Sequence, residues 1–323
     1  MVQGVVAIDV AGWPEDEEHP YFPEGSRDKR LLRCPSPAPY PFLIAGHRYQ
    51  FKQSRPIYPD QFWVEVVTYH LGQLIGVSVP PAYPAWDART DVCAALIEWF
   101  YGYPDQPTEG FLSGGLFMKS MIKDYDLKRG RQHNFGNIEA LCRHLAMDSK
   151  SVPFELAADW PVAWARMLAF DALIGNTDRH HENWGFVIER GFARPRAGMR
   201  LAPAFDNGTS LGHEYSTEQF IRFDDAAFLA RYIGRGRHHM RWQLHDEHQA
   251  GHADLLLKLA EKYPQCRTPM VTLLGFDGQA LESAFMALTE LVLPSPLSPA
   301  RVRFMLRLVL ARRDHLLNAL ATP

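Results

Sequence analysis

Asp178 and Asn183 are separated by four residues in the stretch GNTDRHHENWGF, and Asp206 stands in a second stretch, LAPAFDNGTSL. The first stretch breaks an apolar helix at Gly175-Asn176, presents Asp178, Arg179, His180, His181 and Asn183, and returns to apolar residues at Trp184, Phe186, Val187 and Ile188. A polar turn between buried elements is a place where a rigid scaffold holds reacting groups still. The residue types suit phosphoryl transfer. A carboxylate at Asp178 orients or deprotonates a hydroxyl, while Asn183 and Asp206 supply oxygen ligands for Mg²⁺ (or Mn²⁺) beside nucleotide phosphates.

Such chemistry also needs a lysine against the phosphates and a glutamate to hold it. Lys52 ends a strand that contains Tyr49-Gln50-Phe51, and Glu65 lies on the following helix between Phe62 and Tyr69. Taken singly, Lys52 reads as a solvated strand-end lysine and Glu65 is as easily exposed as buried. Their order ahead of Asp178, Asn183 and Asp206 is what gives them meaning. Glu98, Trp99 and Phe100 close a buried strand and run into Tyr101-Gly102-Tyr103-Pro104, a hinge whose extended backbone and aromatics suit an adenine ring. Backbone N–H groups near Gly25 and Ser26 can cradle phosphate, although no complete phosphate-loop motif is present and an ordinary turn is the preferred reading of that segment. His180 is placed on the nucleotide side of the loop, supporting it through a backbone hydrogen bond, and His181 is read as a surface residue.

The elements that must position these groups follow from patterning. Gly4 to Val10 and Val92 to Trp99 read as strands, and Phe42-Leu43-Ile44 with Tyr49-Gln50-Phe51 as a hairpin around Gly46. Asp60 is expected to cap a helix over Gln61 to Ile75 that stops at Gly76, and Asp159 to cap an amphipathic helix over Trp160 to Leu173. The charged run Lys123 to Asn134 reads as solvated surface. Phe135 to Ala146, Asp254 to Lys262, Gln279 to Leu291 and Pro299 to Leu320 read as helices, with Arg301, Arg303, Arg307, Arg312 and Arg313 on a solvated face of the last. The expected fold is α+β and two-lobed, with a small, mainly β lobe over residues 1–102 and a large α-rich lobe over 103–323.

Composition bounds the rest. The chain has 323 residues, 46% hydrophobic and 22% charged, which suits a globular protein with a cleft. A net charge of −3 provides no basic field for nucleic acid, and no apolar run is long enough for a bilayer. Cys34, Cys93, Cys142 and Cys266 lack CxxC spacing, so neither a disulfide framework nor a zinc site is expected, and a reducing cytoplasm fits. The first residues lack a basic n-region and a small-residue cleavage site.

The Asp-x-x-x-x-Asn spacing, APAFDNGTSLG and the upstream segment PYPFLIAGHRYQFK…YPDQFWVEVVTYHLGQLIG…ALIEWFYG together resemble the HipA-type Ser/Thr kinases, relatives of the phosphatidylinositol 3/4-kinases. The likeness runs from about Gly25 to Gly212. It implies a protein-kinase-like fold, with ATP and Mg²⁺ bound between the lobes and a protein Ser/Thr hydroxyl as acceptor. It also implies Asp178 as base, Asn183 and Asp206 as metal ligands, Lys52 on the phosphates steadied by Glu65, and Glu98 to Phe100 at the adenine. Ser26 becomes a candidate for inhibitory autophosphorylation. An antitoxin-type protein partner is implied as well, although the chain is shorter than the long HipA form and the N-terminal subdomain used there for partner binding is expected to be missing.

Three other readings compete. A lipid or small-alcohol kinase shares the fold. A nucleotide-binding pseudokinase keeps the site without turnover. A metal-dependent hydrolase would use Asp178, His180, His181 and Asp206 as ligands. The last is weakened because adjacent histidines diverge in either a strand or a helix, and because Asn183 would have no role.

Overall fold

The computed structural model describes residues 6–16, 27–106, 108–127, 130, 132–147, 154–189 and 198–321. The first part of the chain builds a five-stranded sheet in the order β1-β4-β5-β3-β2. Its strands are β1 (Ile8–Asp9), β2 (Lys29–Arg33), β3 (Arg48–Gln53), β4 (Ala82–Asp87) and β5 (Val92–Glu98), and only the β1–β4 pair is parallel. Helix α1 (Gln61–Ile75) connects β3 to β4 and packs on β4 and β5. A second sheet follows, β6 (Glu109–Ser113), β7 (Gly185–Glu189) and β8 (Met199–Leu201), antiparallel throughout. The remainder is helical: α2 (Gly114–Met121), α3 (Phe135–Met147), α4 (Trp160–Ile174), α5 (Ala226–Gly234), α6 (His252–Lys262), α7 (Arg267–Leu274), α8 (Gly278–Ala287) and α9 (Pro299–Ala321). A mainly β region thus precedes an α-rich one, as the sequence pattern predicts.

Two strand expectations change. Phe42 to Ile44 is not a strand. Its backbone turns instead, with Leu43 N–H donating to the Tyr40 carbonyl (3.0 Å) and Ile44 N–H to the Tyr49 hydroxyl (3.0 Å). Prolines at 35, 37, 39 and 41 prevent a ladder there. Strand β3 pairs instead with β2 on one side, in the register Lys29↔Lys52, Leu31↔Gln50, Arg33↔Arg48, and with β5 on the other. This places two lysines opposite one another at the sheet end nearest the cleft.

Both helix starts form without their expected caps. Neither Asp60 nor Asp159 accepts a side-chain cap bond. The Asp60 carboxylate faces Arg301 Nε at 2.9 Å instead, tying the start of α1 to α9. The stops are as expected: Gly76 and Gly175 take the left-handed conformation at φ 68 and close their helices. Helix α4 is not amphipathic, since every residue from Met167 to Ile174 is buried. Helices α6, α7 and α9 pack around it, so its second half has no face left for water, and only Val162, Ala163 and Arg166 near its start stay partly open. One core joins α1 to this helical region, and the Trp63 indole N–H donates to the Ser295 carbonyl at 3.0 Å.

The arginines of α9 also depart from a solvated face. Arg301 and Arg312 are buried. Arg301 reaches Asp60 and the carbonyls of Gly212 (3.2 Å) and Tyr215 (2.7 Å), while Arg312 lies over the Tyr232 ring. Within the charged run, Tyr125, His133 and Asn134 are likewise buried. All four cysteines are free thiols.

Candidate active site

Helix α4 delivers the polar turn into the interior. Gly175 is required twice over: its φ is 68, and a Cβ there would stand 2.3 Å from the Arg312 guanidinium. The turn is then closed by its own side chains. Asn176 Oδ1 accepts the Asp178 N–H (2.9 Å), while the Asp178 carbonyl accepts both the His180 N–H (2.8 Å) and Asn183 Nδ2–H (2.8 Å). His252 Nε2 bonds the Asn176 carbonyl from α6 at 2.8 Å. With its backbone held on both sides, Asp178 presents a half-buried carboxylate.

Arg179 locks this turn to the next. It is fully buried and spreads its guanidinium over five acceptors. Nε and Nη2 form a fork on Asp171 (3.1 and 2.8 Å). Nη1 reaches the carbonyls of Asn183 (3.0 Å) and Phe205, and Nη2 also donates to Asn207 Oδ1 (2.8 Å). Burial pushes the Asp171 carboxyl up, but Arg179 and the His238 bond outweigh it and bring it down to about 2. One side chain therefore sets the spacing between the Asp178–Asn183 turn and the Phe205–Asn207 segment. Its sequence position carries one signal for this role, an arginine between two candidate site residues in a polar turn that directly follows a largely apolar helix.

Asp206 sits at φ 55, a left-handed position that few non-glycine residues adopt. It faces the sheet end of the first region. Lys52 Nζ lies 2.6 Å from Asp206 Oδ1 and 2.9 Å from Glu65 Oε1. Glu65 Oε2 in turn accepts the Asn207 N–H at 3.0 Å. Lys52 and Glu65 are both buried, so the solvated alternatives for them are set aside. Arg27 enters the same network, at 2.5 Å from Glu65 and 3.2 Å from Asp206. Burial raises both carboxyls, but Lys52 and then Arg27 more than compensate and hold Glu65 and Asp206 below the usual carboxylate range. The Asp206 side chain keeps 36% of its surface open, unlike Glu65 at 3%. Asp178 moves the other way. Burial raises its carboxyl; His180 opposes this and the nearby charge of Asp206 adds to it.

At the hinge, Glu98 is buried and accepts the hydroxyls of Tyr103 (2.9 Å) and Tyr49 (3.3 Å). The Trp99 N–H donates to the Arg48 carbonyl (3.0 Å), and the Trp99 carbonyl bonds His47 Nε2 (2.6 Å). The Trp99 backbone is thus committed to its own region. Phe100 stacks on Phe205 at 5.0 Å, with Phe111 edge-on to both. The hinge and the residue before Asp206 share one aromatic cluster. Ser26 lies outside the described residues. Its neighbour Arg27 turns into the site and not away from it.

His180 supports its loop as expected, accepting the Glu182 N–H on Nδ1 (3.2 Å). His181 is not a surface residue. It is buried because Tyr125 and Leu127 fold over it, with the Tyr125 ring edge-on and Nε2 bonded to the Leu127 carbonyl (3.0 Å). The two rings do not converge on a shared ligand. Among the described residues no group of three or more His, Cys, Asp or Glu side chains comes together as a metal cage, and a hydrolase-type cluster is not formed.

No family model matches the sequence, and no curated protein does so either. Solved structures do. The proinflammatory kinase CtkA of Helicobacter pylori superposes with a TM-score of 0.74 at 16% identity, over 98% of this chain and 97% of that one. HipA of Shewanella oneidensis, solved as a toxin–antitoxin complex with HipB and operator DNA, superposes with a TM-score of 0.54 at 15% identity, over 99% of this chain and 67% of that one. At these identities the likeness is one of fold, and the fold is that of the HipA-like kinases.

Proposed function

We propose that this chain is an ATP-dependent phosphotransferase, with a protein Ser/Thr hydroxyl as its acceptor. The observation that carries the reading is the convergence of Lys52, Glu65 and Asp206 at bonding distance, with Arg179 tying the Asp178–Asn183 turn to the segment that bears Asp206. Asp178 would accept the acceptor's proton; burial and Asp206 make its carboxylate more basic than a free aspartate. Lys52, aligned by Glu65, would place its ammonium against the phosphates.

The donor set fits a divalent cation. Asn183 turns its Nδ2 to the Asp178 carbonyl, which leaves Oδ1 without a partner among the described residues. Asp206 is half-open, and its carboxylate already faces two cations. Asn183 and Asp206 would hold Mg²⁺ or Mn²⁺, and the ion would supply charge neutralisation at the phosphates. Phe100 and the aromatic cluster around Phe205 offer the apolar wall an adenine ring needs, beside Glu98 and Trp99.

Calorimetry with a non-hydrolysable ATP analogue tests this reading. Binding should require Mg²⁺ or Mn²⁺ and collapse with EDTA; equal affinity without metal would remove Asn183 and Asp206 from their roles. Purification from a native source, with mass spectrometry of what accompanies the chain, tests for an antitoxin-type protein partner. The free thiols suit the cytoplasm proposed for it, and none of the described helices is long and apolar enough to cross a membrane.

A further inference from the structure

Among the described residues, eight buried side-chain polar atoms have no hydrogen-bond partner, and four of them belong to one neighbourhood: Arg27 Nη1, Arg55 Nε, Thr209 Oγ1 and His213 Nδ1. Buried donors are ordinarily satisfied; His213 Nδ1 has the Glu214 carboxylate at 3.3 Å without a hydrogen bond, so it is Arg27 Nη1, Arg55 Nε and Thr209 Oγ1 that ask for an acceptor. The four come from three separated segments. The Arg27 guanidinium lies flat on Gly208, where a Cβ would stand 2.5 Å from both terminal nitrogens, and Thr209 is the next residue. Arg55 lies in the β3–α1 connection, whose Tyr58 ring meets the His213 ring edge-on at 4.9 Å.

Charge points the same way. Arg301 is neutralised by Asp60, and Arg27 shares Glu65 and Asp206 with Lys52. Arg55 has no carboxylate partner among the described residues. Burial lowers the His213 pKa; Glu214, 3.3 Å from Nδ1, pulls it up, while Arg27, Arg301 and Arg55 push it further down. A neutral imidazole surrounded by three guanidinium groups is an arrangement that an anion would stabilise. Of the three guanidinium groups only Arg55 lacks a carboxylate of its own among the described residues, and a water molecule that satisfied its Nε would not offset that charge.

We propose that Arg27, Arg55, Thr209 and His213 form a subsite for an oxyanion, the phosphoryl or carboxylate group of a bound ligand, beside the Asp206 end of the candidate active site. Arg27 joins the two sites, since Nη2 reaches Glu65 and Asp206 while Nη1 faces the subsite. The oxyanion has two possible sources under the phosphotransferase reading: the terminal phosphate of the nucleotide, or an acidic group on the acceptor. The subsite itself needs neither nucleotide nor metal, so its test does not depend on transfer being observed.

The test uses the full chain, free of metal and nucleotide, with ring-labelled histidine, and His213 assigned by loss of its signal in His213→Gln. Inorganic phosphate is the probe. Phosphate should raise the His213 pKa saturably, Arg55→Gln should weaken phosphate binding by about tenfold, and Thr209→Ala should weaken it by a smaller factor. Arg55 is half-buried and makes no side-chain bond, so Arg55→Gln should melt with the wild type. The titration is then repeated with a saturating non-hydrolysable ATP analogue and Mg²⁺. If the analogue itself shifts His213 and excludes phosphate, the oxyanion belongs to the nucleotide. If phosphate still binds, it belongs to the acceptor. A His213 signal unmoved by phosphate, or equal phosphate affinity in Arg55→Gln and wild type, would overturn the proposal.

Discussion

Replacing Arg179 with methionine should cost about 3–5 kcal/mol of stability, and the structure shows where that figure comes from. Asp171 is fully buried, and its carboxyl lies at about 2 against an ordinary 3.8, so the pairing lowers the carboxylate by about 2 kcal/mol net of burial. Without Arg179, burial dominates. His238 Nε2 at 3.2 Å and Asn176 Nδ2 at 3.3 Å are the partners that remain. The carbonyls of Asn183 and Phe205 and the Asn207 amide oxygen each lose a donor, at about 1 kcal/mol apiece. Methionine fills much of the vacated volume, which keeps the cavity cost small. Against a total stability of about 5–15 kcal/mol, the variant should remain folded at low temperature, with a much lower urea midpoint. Removing both charges in Asp171→Asn/Arg179→Met should recover at least about 1 kcal/mol relative to the sum of the single changes, because neither leaves the other uncompensated. A single variant within about 1 kcal/mol of wild type, or strict additivity in the double, would show that Arg179 does not hold the two loops together.

Two further outcomes are expected. Lys52→Met should weaken binding of the ATP analogue by about tenfold or more while leaving the melting temperature nearly unchanged, because Arg27 still bridges Glu65 and Asp206; unaltered affinity would remove Lys52 from the phosphate site. Burial holds His252 at about 3 and His239 at about 4, each well below 6.5, so the unfolded chain takes up their protons first. The stability that depends on neutral rings is complete above pH 6.5 and is lost as the pH falls toward 4 and then 3. Urea midpoints should therefore drop between pH 7 and pH 5, and a flat profile over that window would contradict the buried neutral histidines.

What could be read from the chain was local. Asp178, Asn183 and the turn that holds them lie within one short stretch, and the glycine stops of α1 and α4 follow from their own residues. The Lys52–Glu65 pair was within reach because the strand and the helix adjoin. What could not be read depends on groups far away in sequence. Arg27 meets Asp206 across 179 positions, and Asp60 turns from capping α1 to pairing with Arg301 across 241. An arginine in a polar turn, or one of several along a helix, reads as solvated until its acceptors are known, and the acceptors of Arg179, Arg301 and Arg312 lie on other segments. Helix α4 looked amphipathic because a single helix does not reveal how many others will surround it. His181 looked exposed because the segment that covers it is charged.

The central claim is that Asp178, Asn183 and Asp206 transfer phosphate from Mg²⁺-bound ATP to a hydroxyl. Its most direct test is a single-turnover reaction with γ-labelled ATP and excess enzyme, comparing wild type with Asp178→Asn at saturating Mg²⁺. Label should appear on a serine or threonine, of the chain itself or of an added protein. The rate should be at least about 10²-fold lower in Asp178→Asn at unchanged nucleotide affinity. Equal rates in the two proteins, or no labelled hydroxyl in the wild type with a broad panel of acceptors despite metal-dependent nucleotide binding, would contradict it.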